Sequence, residues 1–311
     1  MSPHSRSASV TEVLQQLPQS CRDCHWVMEK LAEGVHAHVY GIRSANNRPI
    51  WQTHHALAVK LYKPAANPDV QFVREQFEAL SRFNSAVDGC IIDGWKVLAP
   101  APLYLCRSPP ALVMSLVPGR KLSHYFDAGD DASFATMDSV PSVIIAAMEK
   151  CWSVGQTHGD LNFDNILCDL ADRALSFVDM GVPTTSLLGE DSTGCCNPAS
   201  QDLGYMLYET GAKVMITFGK PSSRLRKERF AECVLRAFIE TIAPREDKQR
   251  LLDEIHACAR VHLKSLDRSL SPHGLWHAFV RSAASRCIDR LLAGLRTDAR
   301  AASSEHAPNF S

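Results

Sequence analysis

The stretch His158-Gly159-Asp160-Leu161-Asn162-Phe163-Asp164-Asn165-Ile166-Leu167, with Phe177-Val178-Asp179-Met180-Gly181 soon after it, constrains this chain more than any other. Ile166-Leu167-Cys168 and Leu175-Ser176-Phe177-Val178 predict a hairpin, with Ala171-Asp172-Arg173 as its turn. Folding back at that turn returns Asn165 and Asp179 to the same end, beside Asp160. One amide and two carboxylates converging there suit Mg²⁺ and nucleotide phosphates, because hard cations take oxygen ligands. Phosphoryl transfer uses such a set: one carboxylate orients the attacking hydroxyl, while an Asn and an Asp hold metal against the phosphates.

These residues resemble the catalytic loop and metal-binding segment of the protein-kinase-like superfamily. His-Gly-Asp-x-x-x-x-Asn stands for His-Arg-Asp, and Asp-Met-Gly for Asp-Phe-Gly. Gly159 in the arginine position is similar to the RIO kinases, the KEOPS-complex kinase, the UbiB group and the aminoglycoside and choline phosphotransferases. The resemblance implies an α+β, two-lobed protein-kinase-like fold, with a small β-rich N-lobe carrying one helix and a larger helical C-lobe.

The other parts follow in the family's order. Trp26–Leu31 and Ala37–Gly41 read as paired strands, and the turn between them keeps Gly34 and Val39 of a glycine-rich phosphate loop. Ala32 and Ala37 stand at the outer glycine positions, where the smallest side chain still lets backbone approach a phosphate. Ala56-Leu57-Ala58-Val59-Lys60-Leu61-Tyr62 is an apolar strand with an internal lysine, which is costly to desolvate unless paired. It looks like the strand whose lysine grips the α- and β-phosphates, with Ala58 beside the nucleotide. A helix opens at Asn67-Pro68 with Phe72, Val73, Phe77, Ala79, Leu80 and Phe83 at helical spacing. Glu75 lies nearer the edge of that stripe and is the preferred partner of Lys60; Glu78 is the alternative. Trp95–Leu105 supplies another strand, and Ala111–Gly119 resembles the strand and hinge joining the lobes. There the resemblance implies adenine bonded to backbone near Ser115 and Val117, with Met114 lining the pocket. Val143–Val154 is an apolar helix that leads into the catalytic loop. Asp202-Leu203-Gly204-Tyr205-Met206-Leu207-Tyr208-Glu209 resembles the large-lobe helix whose aspartate anchors the loop backbone. No Ala-Pro-Glu motif stands between Asp179 and Asp202. Later apolar stripes, such as Phe230, Val234, Phe238 and Ile242, are core-packing faces.

The resulting division is a partly helical leader at 1–25, an N-lobe at 26–117, a C-lobe at 118–296 and a disordered tail at 297–311. The 311 residues carry a net charge of −1, so no basic excess argues for nucleic acid. No apolar run reaches membrane-spanning length, and no signal peptide is evident. Eleven scattered cysteines then read as reduced thiols in a cytoplasmic protein. Cys21-Arg22-Asp23-Cys24-His25 matches a haem-attachment pattern but lacks its export context, and is read as coincidence.

The resemblance gives each site residue a role. Lys60, aligned by Glu75, holds ATP phosphates; Asn165 and Asp179 hold Mg²⁺; Asp160 orients the acceptor hydroxyl and takes its proton. His158 is structural. The activity implied is an ATP- and Mg²⁺-dependent phosphotransferase, foremost an atypical Ser/Thr protein kinase. A phosphotransferase for small hydroxylated molecules and a non-catalytic ATP-binding pseudokinase are the alternatives.

Overall fold

The computed structural model describes residues 10–22, 25–34, 36–46, 49–52, 54–63, 70–128, 136–181, 197–216, 221–242, 247–266 and 272–305. They form two compact units, residues 1–88 with 98–118, and residues 89–97 with 119–311. The architecture is α+β, as expected: an antiparallel sheet with one long helix in the first unit, and a larger, mainly helical second unit.

In the first unit, β1 (Trp26–Glu33), β2 (Ala37–Ser44), β3 (Ala56–Tyr62), β6 (Pro102–Arg107) and β7 (Pro110–Ser115) make one sheet in the order β1-β2-β3-β7-β6. All pairings in it are antiparallel. β3 is central and buried along most of its length, which suits its β-branched and aliphatic run. β1 is an edge strand, mostly exposed, and Glu29, Lys30 and Glu33 make that edge a poor template for further pairing.

Side chains alternate across the sheet, so its two faces differ. On one face Leu57, Val59, Leu61, Ile42 and Val113 pack against Val10, Val13, Leu14, Leu17 and Cys21. The segment expected to be a separate leader is therefore part of the core, and its helical turns at 10–15 and Gln19–Arg22 (α1) close that face. Gln16 fastens it, donating to the Ser108 carbonyl at 2.7 Å. Burial of Cys21 in this core leaves it no room to carry a haem thioether, while Cys24 lies outside the described residues. The opposite face receives α2 (Val70–Val87), through Val73 against Ala37 and Tyr62. The expected cap at Asn67-Pro68 lies outside the described residues.

The expected single strand over Trp95–Leu105 is two strands in two sheets. Pro100 and Pro102 interrupt the run, because proline cannot donate to a ladder. The second unit begins with β4 (Ile91–Ile92) and β5 (Trp95–Leu98). These join β8 (Arg120–Lys121), β9 (Ile166–Asp169) and β10 (Ala174–Phe177) in the order β4-β5-β10-β9-β8. The predicted hairpin is present: β9 and β10 pair from Ile166↔Phe177 to Ala174↔Asp169. Its turn is held by the Asp169 carboxylate, which accepts from the backbone N–H groups of Ala171 and Asp172.

Around this sheet stand α3 (Leu122–Ala128), α4 (Val140–Trp152), α5 (Pro198–Ile216), α6 (Pro221–Ile242), α7 (Lys248–Ser265) and α8 (Pro272–Glu305). α4 is buried along most of its length and is tied to β5 by Trp95 Nε1 donating to Ser139 Oγ at 2.9 Å. α8 runs to Glu305, past the point where a disordered tail was expected. The eight described cysteines are free thiols, and no helix among the described residues is long and apolar enough to cross a membrane.

Candidate active site

The loop between α4 and β9 is held from below by one carboxylate. Asp202, 1% exposed near the start of α5, accepts from the backbone N–H groups of His158 and Gly159 and from Trp152 Nε1, each at 2.9 Å. Burial pushes its pKa up to about 6, against the pull of these three donors. His158 is fully buried, its ring 6.2 Å from that of Phe177. Burial pushes it down to about 4, so it is a neutral packing residue at pH 7, as the sequence suggested.

The loop is stitched to the segment after β10. Gly181 N–H donates to His158 O and Val178 N–H to Asn165 O, both at 2.9 Å. The two backbones lie so close that a Cβ on Gly159 would stand 2.9 Å from the Gly181 carbonyl oxygen, and one on Gly181 would stand 2.7 Å from Gly159. Gly159 also has φ +79°. Glycine at position 159 thus has a steric cause: a side chain there would meet the backbone of Gly181. Asp179 has φ +59°, a left-handed conformation uncommon outside glycine and one of the places where sites store strain.

The three residues singled out by spacing come together here. Asn165 Nδ2 donates to Asp160 Oδ2 at 2.8 Å and to Asp160 O at 3.0 Å. Asn162 Nδ2 donates to Asp160 Oδ1 at 2.9 Å. Asp179, two residues past the end of β10, is exposed while Phe177 and Met180 near it are buried. With the Asn165 nitrogen committed to Asp160, its amide oxygen remains as an acceptor beside the Asp179 carboxylate segment. Two hard oxygen donors of this kind fit Mg²⁺, which takes one or two protein ligands and fills the rest with phosphate and water.

Three neighbours were not read from the sequence. Tyr205, one turn after Asp202 on α5, has its single hydroxyl proton shared between Asp160 and Glu209 Oε1, the latter at 3.3 Å. His262 stacks edge-on against Tyr205 at 4.9 Å and is pushed down to about 4 by burial. Asn162 lies inside the quoted motif, but its bond to Asp160 is visible only in three dimensions. Burial, opposed by the Tyr205 and Asn165 bonds and aided by the charges of Asp179 and Glu209, raises Asp160 to about 6. Asn162, which donates to Asp160, also lines a cavity of about 40 Å³ with Ser123, Asp164, Glu209 and Lys227.

The first unit gathers the other expected residues on one face. In register, Val39 stands opposite Lys60, and Met114 opposite Ala58. Lys60 Nζ lies 5.6 Å from the ring centre of Tyr62 on the same face. Gly34 closes the β1–β2 turn, its N–H donating to Ala37 O at 2.9 Å. At the end of β7, the N–H groups of Ser115 and Leu116 are taken by Ala101 O and Ala56 O. Glu75 is not brought to Lys60: it is exposed, and its carboxylate accepts from Gln71 Nε2 at 2.9 Å. Glu78 is exposed as well. Residues 182–196 lie outside the described residues.

Among solved structures the chain is similar to Rad53 1–466 in complex with AMP-PNP, with 18% identity and a TM-score of 0.40, over 87% of this chain and 60% of that one. It is also similar to the kinase domain of Mycobacterium tuberculosis PknI, in a mutant form, with 14% identity and a TM-score of 0.44, over 76% of this chain and 95% of that one. No protein-family model matches the chain. No curated protein matches it either.

Proposed function

We propose that this protein is an ATP- and Mg²⁺-dependent phosphotransferase that moves the γ-phosphoryl group of ATP to a hydroxyl, as an atypical Ser/Thr protein kinase. The observation that carries the reading is the convergence of Asp160, Asn165 and Asp179 on one loop and hairpin, with Asp160 raised to about 6. A base with a pKa near working pH is both ionised and able to take a proton.

The acceptor oxygen bonds to the γ-phosphorus as the bond from that phosphorus to the β,γ-bridging oxygen breaks, and ADP departs. The hydroxyl proton passes to an Asp160 carboxylate oxygen. Asn162 and Asn165 fix the orientation of that carboxylate from either side. Asn165 Oδ1 and Asp179 would hold Mg²⁺, which when bound neutralises charge on the phosphates. Lys60 would bind phosphate oxygens, with Ala58, Val39 and Met114 forming the apolar face for the base and ribose. With Ser115 and Leu116 N–H groups already bonded, Val117 is the donor left for adenine.

The cavity that Asn162 shares with Ser123, Asp164 and Glu209 favours a second reading, a small hydroxylated acceptor. Both readings are tested by following ATP turnover with Mg²⁺ and no added acceptor, with intact mass read alongside. Asp160→Ala and Asp179→Ala should each abolish turnover. Self-labelling on Ser or Thr supports the protein kinase, and turnover without labelling supports a small acceptor. Unchanged turnover in Asp160→Ala would overturn the assignment.

A further inference from the structure

Six residues of α2 are buried: Val73, Gln76, Ala79, Leu80, Phe83 and Val87. Five are apolar, and the sixth, Gln76, is only 5% exposed. At about 100° per residue, Gln76 falls midway between Val73 and Ala79 in the buried stripe, whereas Glu75 and Glu78 turn to solvent. A buried carboxamide is costly unless its oxygen and nitrogen find partners, so a polar group here points to a polar neighbour.

What the stripe covers is defined by its contacts. Phe72 meets the ring of Tyr62 edge-on at 5.9 Å, and Val73 packs with Ala37 and Tyr62, where Leu105 joins them. Lys60 belongs to that same sheet face. It stands two residues before Tyr62 on β3, its Nζ lies 5.6 Å from the Tyr62 ring centre, and it stands in register with Leu112, which pairs with Leu105. Gln76 is one helical turn beyond Phe72 and Val73 on the stripe that covers this row.

We propose that Gln76 is the positioning residue for Lys60, its amide oxygen accepting from the ammonium where a glutamate was expected. The proposal rests on the phosphotransferase reading for its purpose, and on packing alone for its geometry. A carboxylate would cancel much of the lysine's charge while holding it; an amide orients the ammonium and leaves its whole charge for phosphate. The glutamates on either side in sequence then have no part in the site.

The contact is tested by a double-mutant cycle on thermal unfolding of the full chain, with Lys60→Met, Gln76→Leu and both together. Leucine keeps the volume and removes the acceptor. A parallel cycle uses Glu75→Gln with Lys60→Met. The first cycle should be non-additive, the double variant melting no lower than the worse single one, and the second additive. Additivity in the first cycle, or coupling in the second, overturns the proposal. This readout needs neither nucleotide nor turnover, so it survives failure of the phosphotransferase reading. With turnover, Gln76→Leu should raise the KM for ATP about tenfold while leaving kcat within a few-fold, and Gln76→Glu, which still accepts from Lys60 but offsets its charge, should recover only part of that loss. Glu75→Gln should leave both constants unchanged. An unchanged KM in Gln76→Leu counts against the proposal as firmly as additivity does.

Discussion

Asp160 is governed by a balance that single substitutions can tip. Burial and the negative charges of Asp179 and Glu209 raise its pKa to about 6, while bonds from Tyr205 and Asn165 to its charged form hold it down. The working form is the carboxylate, so kcat/KM should fall tenfold per unit as pH drops below about 6 and level off above it. Tyr205→Phe removes a donor to the ionised form, so the acid limb should move up in pH. Glu209→Gln removes a like charge, and the limb should move down. A limb that stays in place in both variants would show that Asp160 is not the titrating base. Gly159 is constrained by sterics rather than charge. With a Cβ set 2.9 Å from the Gly181 carbonyl oxygen and φ at +79°, Gly159→Ala should force the loop and the Asp179 segment apart. Turnover should drop at least about tenfold while circular dichroism stays native, because the strain of one or two kcal/mol acts where geometry matters most.

Among elements, the segment at 10–22 shows how far pattern reaches. Val10, Val13, Leu14 and Leu17 were spaced for a helix, but spacing cannot say what a face is pressed against. Here it is the back of the sheet, and all four are buried. Leu17→Ala should cost about 2–5 kcal/mol, read as a lower urea midpoint with unchanged slope. A midpoint shift near zero would mean that the segment is only loosely docked. The hairpin and the loop before it were legible because their information is local: alternation, a turn, and polar residues at fixed offsets. Which polar residue of α2 turns toward the sheet was not. Glu75 and Gln76 are neighbours in sequence, and only the rotation of α2 on the sheet decides which one faces in. Tyr205 was likewise hidden one turn past a residue whose role the sequence did give. Pro100 and Pro102 carried the signal that Trp95–Leu105 is two strands, and chain-breaking prolines outrank an apolar run.

For the molecule as a whole, the proposed chemistry is divided between two compact units, Lys60 with Val39, Ala58 and Met114 in one, and Asp160, Asn165 and Asp179 in the other. ATP with Mg²⁺ at a hundred times its Kd adds about 2.7 kcal/mol to the unfolding free energy of whatever it holds. Lys60→Met should weaken ATP binding whether or not metal is present, since an ammonium needs no ion to attract phosphate. Asp179→Asn should behave differently because the charge of the carboxylate is useful only through the metal. With Mg²⁺, losing that charge removes a ligand and weakens ATP binding. In EDTA the same carboxylate only repels the phosphates, so Asp179→Asn should bind ATP as well as the parent or better. Titration of ATP with and without Mg²⁺ reads this reversal directly. If Asp179→Asn weakens ATP equally in both conditions, Asp179 contacts the nucleotide or the fold rather than a metal, and the assignment of Asn165 beside it fails with it.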